Sequence, residues 1–210
     1  MNAKEKLPEI LKRLKKEYPE PMTTLYFRNP FELLVATVLS AQTTDAHVNK
    51  VTDALFKKYG SVEDYADTQI ETLRKDISSI NFYNNKAKNI QASAKMIIEK
   101  FDSKVPKTME ELITLHGVAR KTANIILSNA YGINAGIAVD THVRRLSNRL
   151  RLTKNDDPVK IERDLMEITP KEEWGNISHL LIFHGRKICQ AKKPRHKECV
   201  LFDICPSRNI

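Results

Sequence analysis

The sequence predicts an all-α protein, on three observations. Apolar residues recur at helical spacing in most segments of the chain, as Leu7, Ile10, Leu11 and Leu14 do in the first. No segment shows the convincing apolar–polar alternation of a strand, and there is neither a heptad array nor a low-complexity segment. With 210 residues, the chain is long enough for one large domain or two small ones with buried cores.

The helices of the first half follow from these patterns and from their end signals. The first helix ends before Pro19, because the residue before a proline disfavours helical backbone. Asn29 and Pro30 begin the second, whose residues 31–39 are apolar nearly all round, as in a helix buried in a bundle. Further helical patterns run from residue 48 to near 60 and over 62–65, 70–77 and 87–101. Residues 81–85 are expected to form a loop, because asparagine tolerates turn geometry.

Two short helices joined by a tight turn are expected next. Thr108 stands three residues before Glu111, a capping-box spacing that begins a helix over residues 109–115. Residues 116–119 form the turn, and the second helix runs over 120–131. The backbone N–H groups of such a turn, with the positive end of the second helix, can bind a phosphate without reading a base. Lys121 would lie beside that phosphate.

Asp140 stands at the start of a basic helix that extends to Leu150. Its position is that of an N-cap, which is the ordinary structural role of an aspartate before a helix. His142 and Arg144, with Arg145, are candidates for phosphate contacts, and they could equally form a solvated basic face. Two more helices follow, one reaching Ile168 after the turn at 155–158 and a last one over 174–188.

The net charge of +9 favours a polyanionic partner such as nucleic acid, although many proteins are basic for solubility alone. The first sixteen residues lack the apolar core of a signal peptide, and no apolar stretch is long enough to cross a bilayer. We therefore expect a soluble, cytoplasmic protein.

Three cysteines, Cys189, Cys199 and Cys205, are crowded near the C-terminus. An odd number of cysteines in one place is unlike a secreted disulfide framework. A bound metal or cluster is the better interpretation.

The segments LHGVARKTAN, at 115–124, and AVDTHVRRLSNR, at 138–149, resemble the signature of the endonuclease III family of helix-hairpin-helix DNA glycosylases. The resemblance extends over nearly the whole chain, from LLVATVLSAQTTD at 33–45 to the final cysteines. It implies a bifunctional enzyme of base excision repair that removes oxidised pyrimidines from double-stranded DNA and cleaves the abasic strand by β-elimination. A monomer that binds damaged duplex DNA is expected.

The same resemblance implies roles for individual residues. Lys121 stands at the position of the Schiff-base lysine, where we expect burial to favour the neutral amine, and Asp140 stands at that of the catalytic aspartate. Gln42 stands where the family fills the gap left by a flipped base. Phe82 stands where it inserts a wedge, often leucine, and an anchor in the core is the equal alternative for this residue. The other expected DNA contacts are His116, Gly117, Val118, Ala119, Arg120, His142, Arg144, Lys193 and Arg195.

The family also folds as two helical lobes with DNA in the cleft between them. Residues 23–134 would form the lobe carrying the hairpin. Residues 1–22 and 135–210 would form the other, with the C-terminal cluster loop. On this arrangement Lys121 and Asp140 would lie on opposite sides of the cleft, close to the segments that cross it.

For the cysteine loop, the resemblance implies a [4Fe–4S] cluster held by four cysteines. Here His196 stands at the position of the second cysteine. Six residues separate Cys189 from His196, two separate His196 from Cys199, and five separate Cys199 from Cys205. Histidine ligation of a cluster is known, and three cysteines with a histidine also suit zinc. We rank a cluster with His196 as ligand first, a cluster on three cysteines second, and zinc or no metal last.

Two other functions stay open at this stage. One is a non-catalytic DNA-binding module, kept open by His116 and Ala119 in place of the commonest hairpin residues and by His196. The other is a mismatch-specific DNA glycosylase, although relatives of that kind lack the lysine found at 121.

Overall fold

The computed structural model describes residues 2–208, which form helices and no strand, and this confirms the all-α prediction. The chain divides into two compact units. One is continuous, Thr24–Ile133, and the other comprises the chain up to Thr23 and from Asn134 on. The division expected at 23–134 lies close to these bounds. None of the helices in the described part of the chain is long and apolar enough to cross a membrane.

The continuous unit is built around one buried helix. Its seven helices are α2 (Pro30–Ser40), α3 (Asp45–Lys58), α4 (Val62–Asp67), α5 (Ile70–Asp76), α6 (Tyr83–Phe101), α7 (Met109–Leu112) and α8 (Arg120–Tyr131). Helix α2 packs against α3, α6 and α8, and residues 31–39 are all buried. Asn29 caps it, with its side chain accepting from the backbone N–H of Glu32. The run that is apolar all round is thus the centre of this unit.

The discontinuous unit has its own core. Its helices are α1 (Ala3–Glu17), α9 (Thr141–Arg149), α10 (Pro158–Ile168) and α11 (Trp174–Lys187), with short 3-10 turns at Lys171–Glu173, His196–Glu198 and Phe202–Ile204. The apolar stripe of α1 packs into a core shared with α9, α10 and α11. Lys6, buried at the edge of that stripe, donates from Nζ to the carbonyl of Leu150 at 2.9 Å. The first and last parts of the chain therefore complete one hydrophobic core.

Most helix boundaries lie within a few residues of the sequence prediction, and two differences concern the segments next to the candidate site. Helix α7 ends at Leu112, and the residues up to Leu115 form turns that lead directly into the hairpin. Residues 83–85, expected in a loop, are the first turn of α6. The reason is local, because Phe82 adopts a left-handed conformation (φ 58°) and the chain enters the helix immediately after it.

Candidate active site

The hairpin turn depends on Gly117. Its φ is +76°, and a Cβ at this position would lie 2.8 Å from Nδ2 of Asn89. Any side chain would therefore meet both backbone strain and a collision with α6. Ser93 of the same helix donates from Oγ to the carbonyl of His116 at 3.0 Å, and Val118 is buried. Helix α6 therefore supports one side of the turn, while His116 and Gly117 are exposed to solvent.

The residue after the buried valine is the N-cap of α8. Ala119 has an extended backbone, with φ −94°, so an alanine here carries no left-handed strain. Among the described residues, no side chain caps this helix, so its first backbone N–H groups remain available to a ligand. Arg120 and Lys121 follow in the first turn, both exposed. The expectation that Lys121 is buried is wrong, because the lysine stands on the solvent side of the helix start.

Asp140 uses one of its two oxygens for structure. Its Oδ1 accepts from the backbone N–H groups of His142 and Val143, both at 2.8 Å, so the carboxylate is the N-cap of α9. Both of these bonds are made by Oδ1, and the cap therefore does not occupy Oδ2. The segment before Asp140 is fixed by Ser178 of α11, whose Oγ donates to the carbonyl of Ala138 at 3.0 Å. One oxygen thus orients the carboxylate, which allows the other to take part in chemistry.

The basic residues of α9 differ in what they contact. Arg144 is exposed, with Nη2 3.5 Å from Oδ1 of Asp156. Arg145 is engaged inside the unit, where Nη2 donates to the carbonyls of Gly185 and Cys189, each at 3.0 Å. Its guanidinium also lies against His142, at 3.2 Å from Nδ1. The interpretation of Arg145 as a phosphate contact is therefore wrong.

His142 is half-buried beside that guanidinium. Burial lowers its pKa, and the charge of Arg145 acts in the same direction, while Asp140 opposes both. The ring is therefore favoured in its neutral form. A neutral His142 offers a hydrogen bond to DNA and no charge.

Gln42 and Phe82 both stand on exposed turns of the continuous unit. Both have left-handed backbones, with φ of 56° and 58°. The side chain of Phe82 is 62% exposed, so it does not anchor its loop in the core. Its exposure leaves the ring available to a partner.

The C-terminal residues expected to bind a cluster line one small cavity. Cys189, His196, Cys199 and Cys205 all contribute to its wall. Burial raises the pKa of the Cys199 and Cys205 thiols, and the neighbouring cysteines raise it further. A positively charged metal centre would offset both effects by stabilising the thiolates.

Arg149 connects this loop to α9. Its guanidinium lies 3.2 Å from the Sγ of Cys189 and donates to the carbonyls of Gln190 and Ala191 at 2.7 and 2.9 Å. Beyond it, Lys193 is exposed, and Arg195 pairs with Glu198 at 2.6 Å. The loop therefore presents basic side chains at its surface, with Arg195 partly neutralised.

Across residues 2–208, no three His, Cys, Asp or Glu side chains are gathered closely enough to hold a single metal ion. The three thiols nevertheless surround a common cavity, as the ligands of a larger cluster would.

Sequence reasoning missed four residues that support the site. Asn81 and Lys86 contact the turn of Gln42, Arg149 holds the cysteine loop, and His184 lies behind Cys199. For His184, the only signal in the sequence was the presence of a histidine in an apolar helix. The others follow from tertiary contacts, which residue spacing does not encode.

The hairpin, the lysine after it and the capping aspartate agree with the comparisons with known proteins. The sequence pattern of the HhH-GPD superfamily of base excision DNA repair proteins matches residues 35–171. The fold and the site thus define a protein of this superfamily.

More closely related proteins specify the family. Endonuclease III of Synechocystis sp. is 52% identical over 98% of this chain and 94% of its own length. Endonuclease III of Bacillus subtilis is 50% identical over 90% of this chain and 86% of its own length. A solved trapped endonuclease III–DNA covalent intermediate superposes with a TM-score of 0.94 and is 46% identical, covering 99% of this chain and 98% of that one. The chain belongs to the endonuclease III family.

Membership defines the kind of reaction. Endonuclease III is a DNA glycosylase with AP-lyase activity, and this chain is a base excision repair enzyme of that class. The family generally carries a [4Fe–4S] cluster.

Proposed function

We propose that this enzyme excises oxidised pyrimidines from damaged double-stranded DNA, with Lys121 as the nucleophile and Asp140 as the catalytic carboxylate. The observation that carries the proposal is the exposed lysine in the first turn of α8, directly after a turn in which Gly117 has a positive φ and no room for a side chain. The solved relative that was trapped as a covalent intermediate with DNA supports a nucleophilic side chain in this family.

Lys121 would act through its neutral amine, because only the free electron pair can attack carbon. Nζ adds to C1′ of the damaged nucleotide, the bond from C1′ to the base breaks, and the base leaves with a proton. Opening of the sugar ring then gives an iminium ion between Nζ and C1′. Loss of the C2′ proton expels the 3′ phosphate, which completes β-elimination, and water finally hydrolyses the imine to release the lysine.

Asp140 would act through the oxygen that does not cap α9. Positive charge develops at C1′ as the base departs, and a fixed carboxylate stabilises that charge. Oδ2 is also suited to accept the proton of the attacking amine and to return it to a leaving group. Because Oδ1 is fixed by two backbone N–H groups, the carboxylate needs no reorganisation during the reaction.

The base must leave the duplex before this chemistry, and the exposed turns of the continuous unit suit that step. We assign Gln42 to the gap left in the stack and Phe82 to a wedge against the opposite strand, because both are exposed on adjoining turns. Phosphates would bind at the hairpin N–H groups, formed by residues 116–119, and at Arg120 and Arg144. Lys193 and Arg195 of the cysteine loop would add phosphate contacts.

For the cluster, we assign Cys189, His196, Cys199 and Cys205 as ligands, since these side chains line one cavity. When bound, the cluster would fix the C-terminal loop and stabilise the thiolates. None of the steps at C1′ depends on it. Expression with iron should give a brown protein with broad visible absorption, and His196→Ala should weaken cluster retention while His196→Cys preserves it. Colourless protein with stoichiometric zinc would contradict the assignment.

The enzyme is proposed to act as a monomer in the cytoplasm, where its DNA substrate lies. Gel filtration with light scattering, in the presence of a short duplex, would test the monomer.

The first test is borohydride trapping on duplex DNA that contains thymine glycol, beside the same duplex with an abasic site. We expect covalent adducts on both, absent in Lys121→Gln and retained in Lys88→Gln, a matched exposed lysine on α6. An adduct on the abasic site alone would remove thymine glycol as a substrate. Tight binding without an adduct would favour a non-catalytic module.

A further inference from the structure

The turns that carry Gln42 and Phe82 are not independent loops. Gln42 follows the C-terminus of α2, and Phe82 is the N-cap of α6, forty residues further along the chain. Both residues have left-handed backbones, which cost energy in residues other than glycine and persist only where neighbours hold them. The neighbours that do so are visible in the structure.

The most direct tie is Asn81. Its Nδ2 donates to the carbonyl oxygen of Gln42 at 2.6 Å. Because Asn81 immediately precedes Phe82, this hydrogen bond joins a side chain next to Phe82 to the backbone of Gln42. Asn81 itself is exposed, so the bond is not a by-product of core packing.

A second tie comes from Lys86, on the first turns of α6. Its side chain is only 6% exposed, and Nζ donates to the carbonyls of Leu39 and Ala41 at 2.8 and 2.5 Å. These are among the last carbonyls of α2, which lack intrahelical partners and favour a cation. Lys86 therefore ties the end of the helix before Gln42 to the helix that starts after Phe82.

A third tie approaches from α3. Nε2 of His47 lies 3.1 Å from the carbonyl oxygen of Ser79. A carbonyl can only accept, so the imidazole donates here. The segments 39–47 and 79–86 are thus connected by three side chains of different chemistry.

We infer that Asn81 and Lys86 are positioning residues that hold Gln42 and Phe82 as one rigid two-pronged element, so that both enter the duplex together. The inference rests on the proposed insertion roles of Gln42 and Phe82. If the two turns are already ordered in the free protein, the entropy of ordering them is lost during folding. That entropy loss then does not weaken DNA binding. Loosening it should therefore slow extrusion of the base and leave the reaction at C1′ unchanged.

The test compares substrates that do and do not require extrusion. Single-turnover excision is measured on a duplex with a paired lesion, and β-elimination on a single-stranded abasic oligonucleotide. For Asn81→Ala we expect roughly tenfold slower excision on the duplex, as the loss of one hydrogen bond implies, and unchanged elimination on the single strand. Asn84→Ala, at an exposed asparagine three residues further on in the first turn of α6, is the matched control and should change neither rate.

A double-mutant comparison gives a readout that a merely structural role would not move. If Asn81 acts through Gln42, Asn81→Ala should slow excision far less in a Gln42→Ala background than in the wild type. Lys86→Met should slow duplex excision about as much as Asn81→Ala does, and Lys86→Arg should keep the wild-type rate. If a Lys86 variant fails to fold, the excision rate of Asn81→Ala decides the test, because Asn81 is exposed and its substitution should not disturb the core. Fluorescence of 2-aminopurine beside the lesion should rise more slowly in Asn81→Ala.

The outcomes separate the two levels of the proposal. If Gln42→Ala and Phe82→Ala each slow duplex excision but Asn81→Ala does not, the positioning inference is overturned and the insertion roles stand. If Gln42→Ala and Phe82→Ala leave duplex excision unchanged, the insertion roles fail and the inference fails with them. Equal slowing of both substrates by Asn81→Ala would also overturn it, since that pattern indicates general damage to the fold.

Discussion

His184 and Cys199 are in direct contact, with Nε2 of the imidazole 3.4 Å from the Sγ of the cysteine. On the other side of the ring, Nδ1 lies 3.2 Å from the hydroxyl of Tyr18. Burial lowers the pKa of His184 to about 4, so the ring is neutral near pH 7 and carries one N–H. A metal-bound Cys199 would be a thiolate without a proton, and a thiolate can only accept. In the loaded protein Nε2 would then be the donor to sulfur.

We expect His184→Leu to weaken the cluster in the loaded protein. Hydrogen bonds to cluster sulfurs raise the reduction potential, so the variant should have a lower potential and should lose its visible absorption faster in the presence of a chelator. A redox titration followed by absorbance measures the first effect. Tyr18→Phe, which removes only the group that orients the ring, should shift the potential in the same direction by less. An unchanged potential in His184→Leu would contradict the donor role.

Gly117→Ala should disrupt the hairpin, because the new Cβ meets Asn89 and the backbone is left-handed. We expect a loss of about 1–3 kcal/mol in the free energy of unfolding, together with weaker DNA binding. Gly132→Ala is the control, since Gly132 also has a positive φ of +65° but a Cβ added there would have no neighbour within 4 Å. It should lose about 1 kcal/mol and keep its affinity. Equal losses of affinity in both would show that crowding at Gly117 is unimportant.

Asp140 allows its two roles to be separated. Asp140→Asn keeps an oxygen that can cap α9, so stability should change by less than about 0.5 kcal/mol while base excision slows by orders of magnitude. Asp140→Ala should lose the cap as well, at a cost of about 0.5–2 kcal/mol. Urea unfolding and single-turnover excision measure the two effects. Near-normal excision by Asp140→Asn would reduce the residue to a cap.

His142 should make the fold less stable in mild acid. Its folded pKa lies below the unfolded value of about 6.5, so the unfolded chain takes up a proton first as the pH falls. The stability it confers is complete above that unfolded pKa and is lost progressively as the pH falls toward the folded pKa. His142→Gln cannot titrate and should show a shallower decline in urea unfolding between about pH 7 and pH 5. Parallel profiles for the two proteins would contradict this.

Arg144 should dominate over His142 in binding phosphate at neutral pH. Arg144→Gln should reduce the slope of log affinity against log salt by about 1, as expected for one lost phosphate contact. His142→Gln should leave that slope unchanged near neutral pH, because its ring is uncharged there. Titrations of duplex DNA at several salt concentrations measure both.

The sequence predicted the parts of the fold that local patterns encode. The helix start at Asn29 and the all-apolar run of α2 are examples, because a capping residue and a buried face are visible in the order of the residues. The left-handed Phe82 is different, since nothing in its neighbours' identities says that α6 will begin one residue later. Its conformation depends on contacts with a turn that is distant in sequence.

The residues of the candidate site were likewise predicted only in part from the sequence. Lys121 and Asp140 were found because they lie in short motifs that resemble a known family. From its place in a basic helix, Arg145 was a candidate for a phosphate contact or for a solvated face, but its guanidinium donates to the carbonyls of Gly185 and Cys189 inside the unit. Residue type predicts charge, whereas only the folded chain shows whether a charge is satisfied within the protein.

The discontinuous unit has a consequence for how the protein is made. Helix α1 is synthesised well before the helices that cover its apolar face, because α10 and α11 come more than a hundred residues later. At translation rates of about 5–20 residues per second, that face waits on the order of several seconds on the ribosome. The continuous unit can meanwhile fold from contiguous sequence. A message broken before α10 would therefore yield a chain that contains Lys121 but has no core around Asp140, and α1 would stay uncovered for chaperones and proteases to recognise.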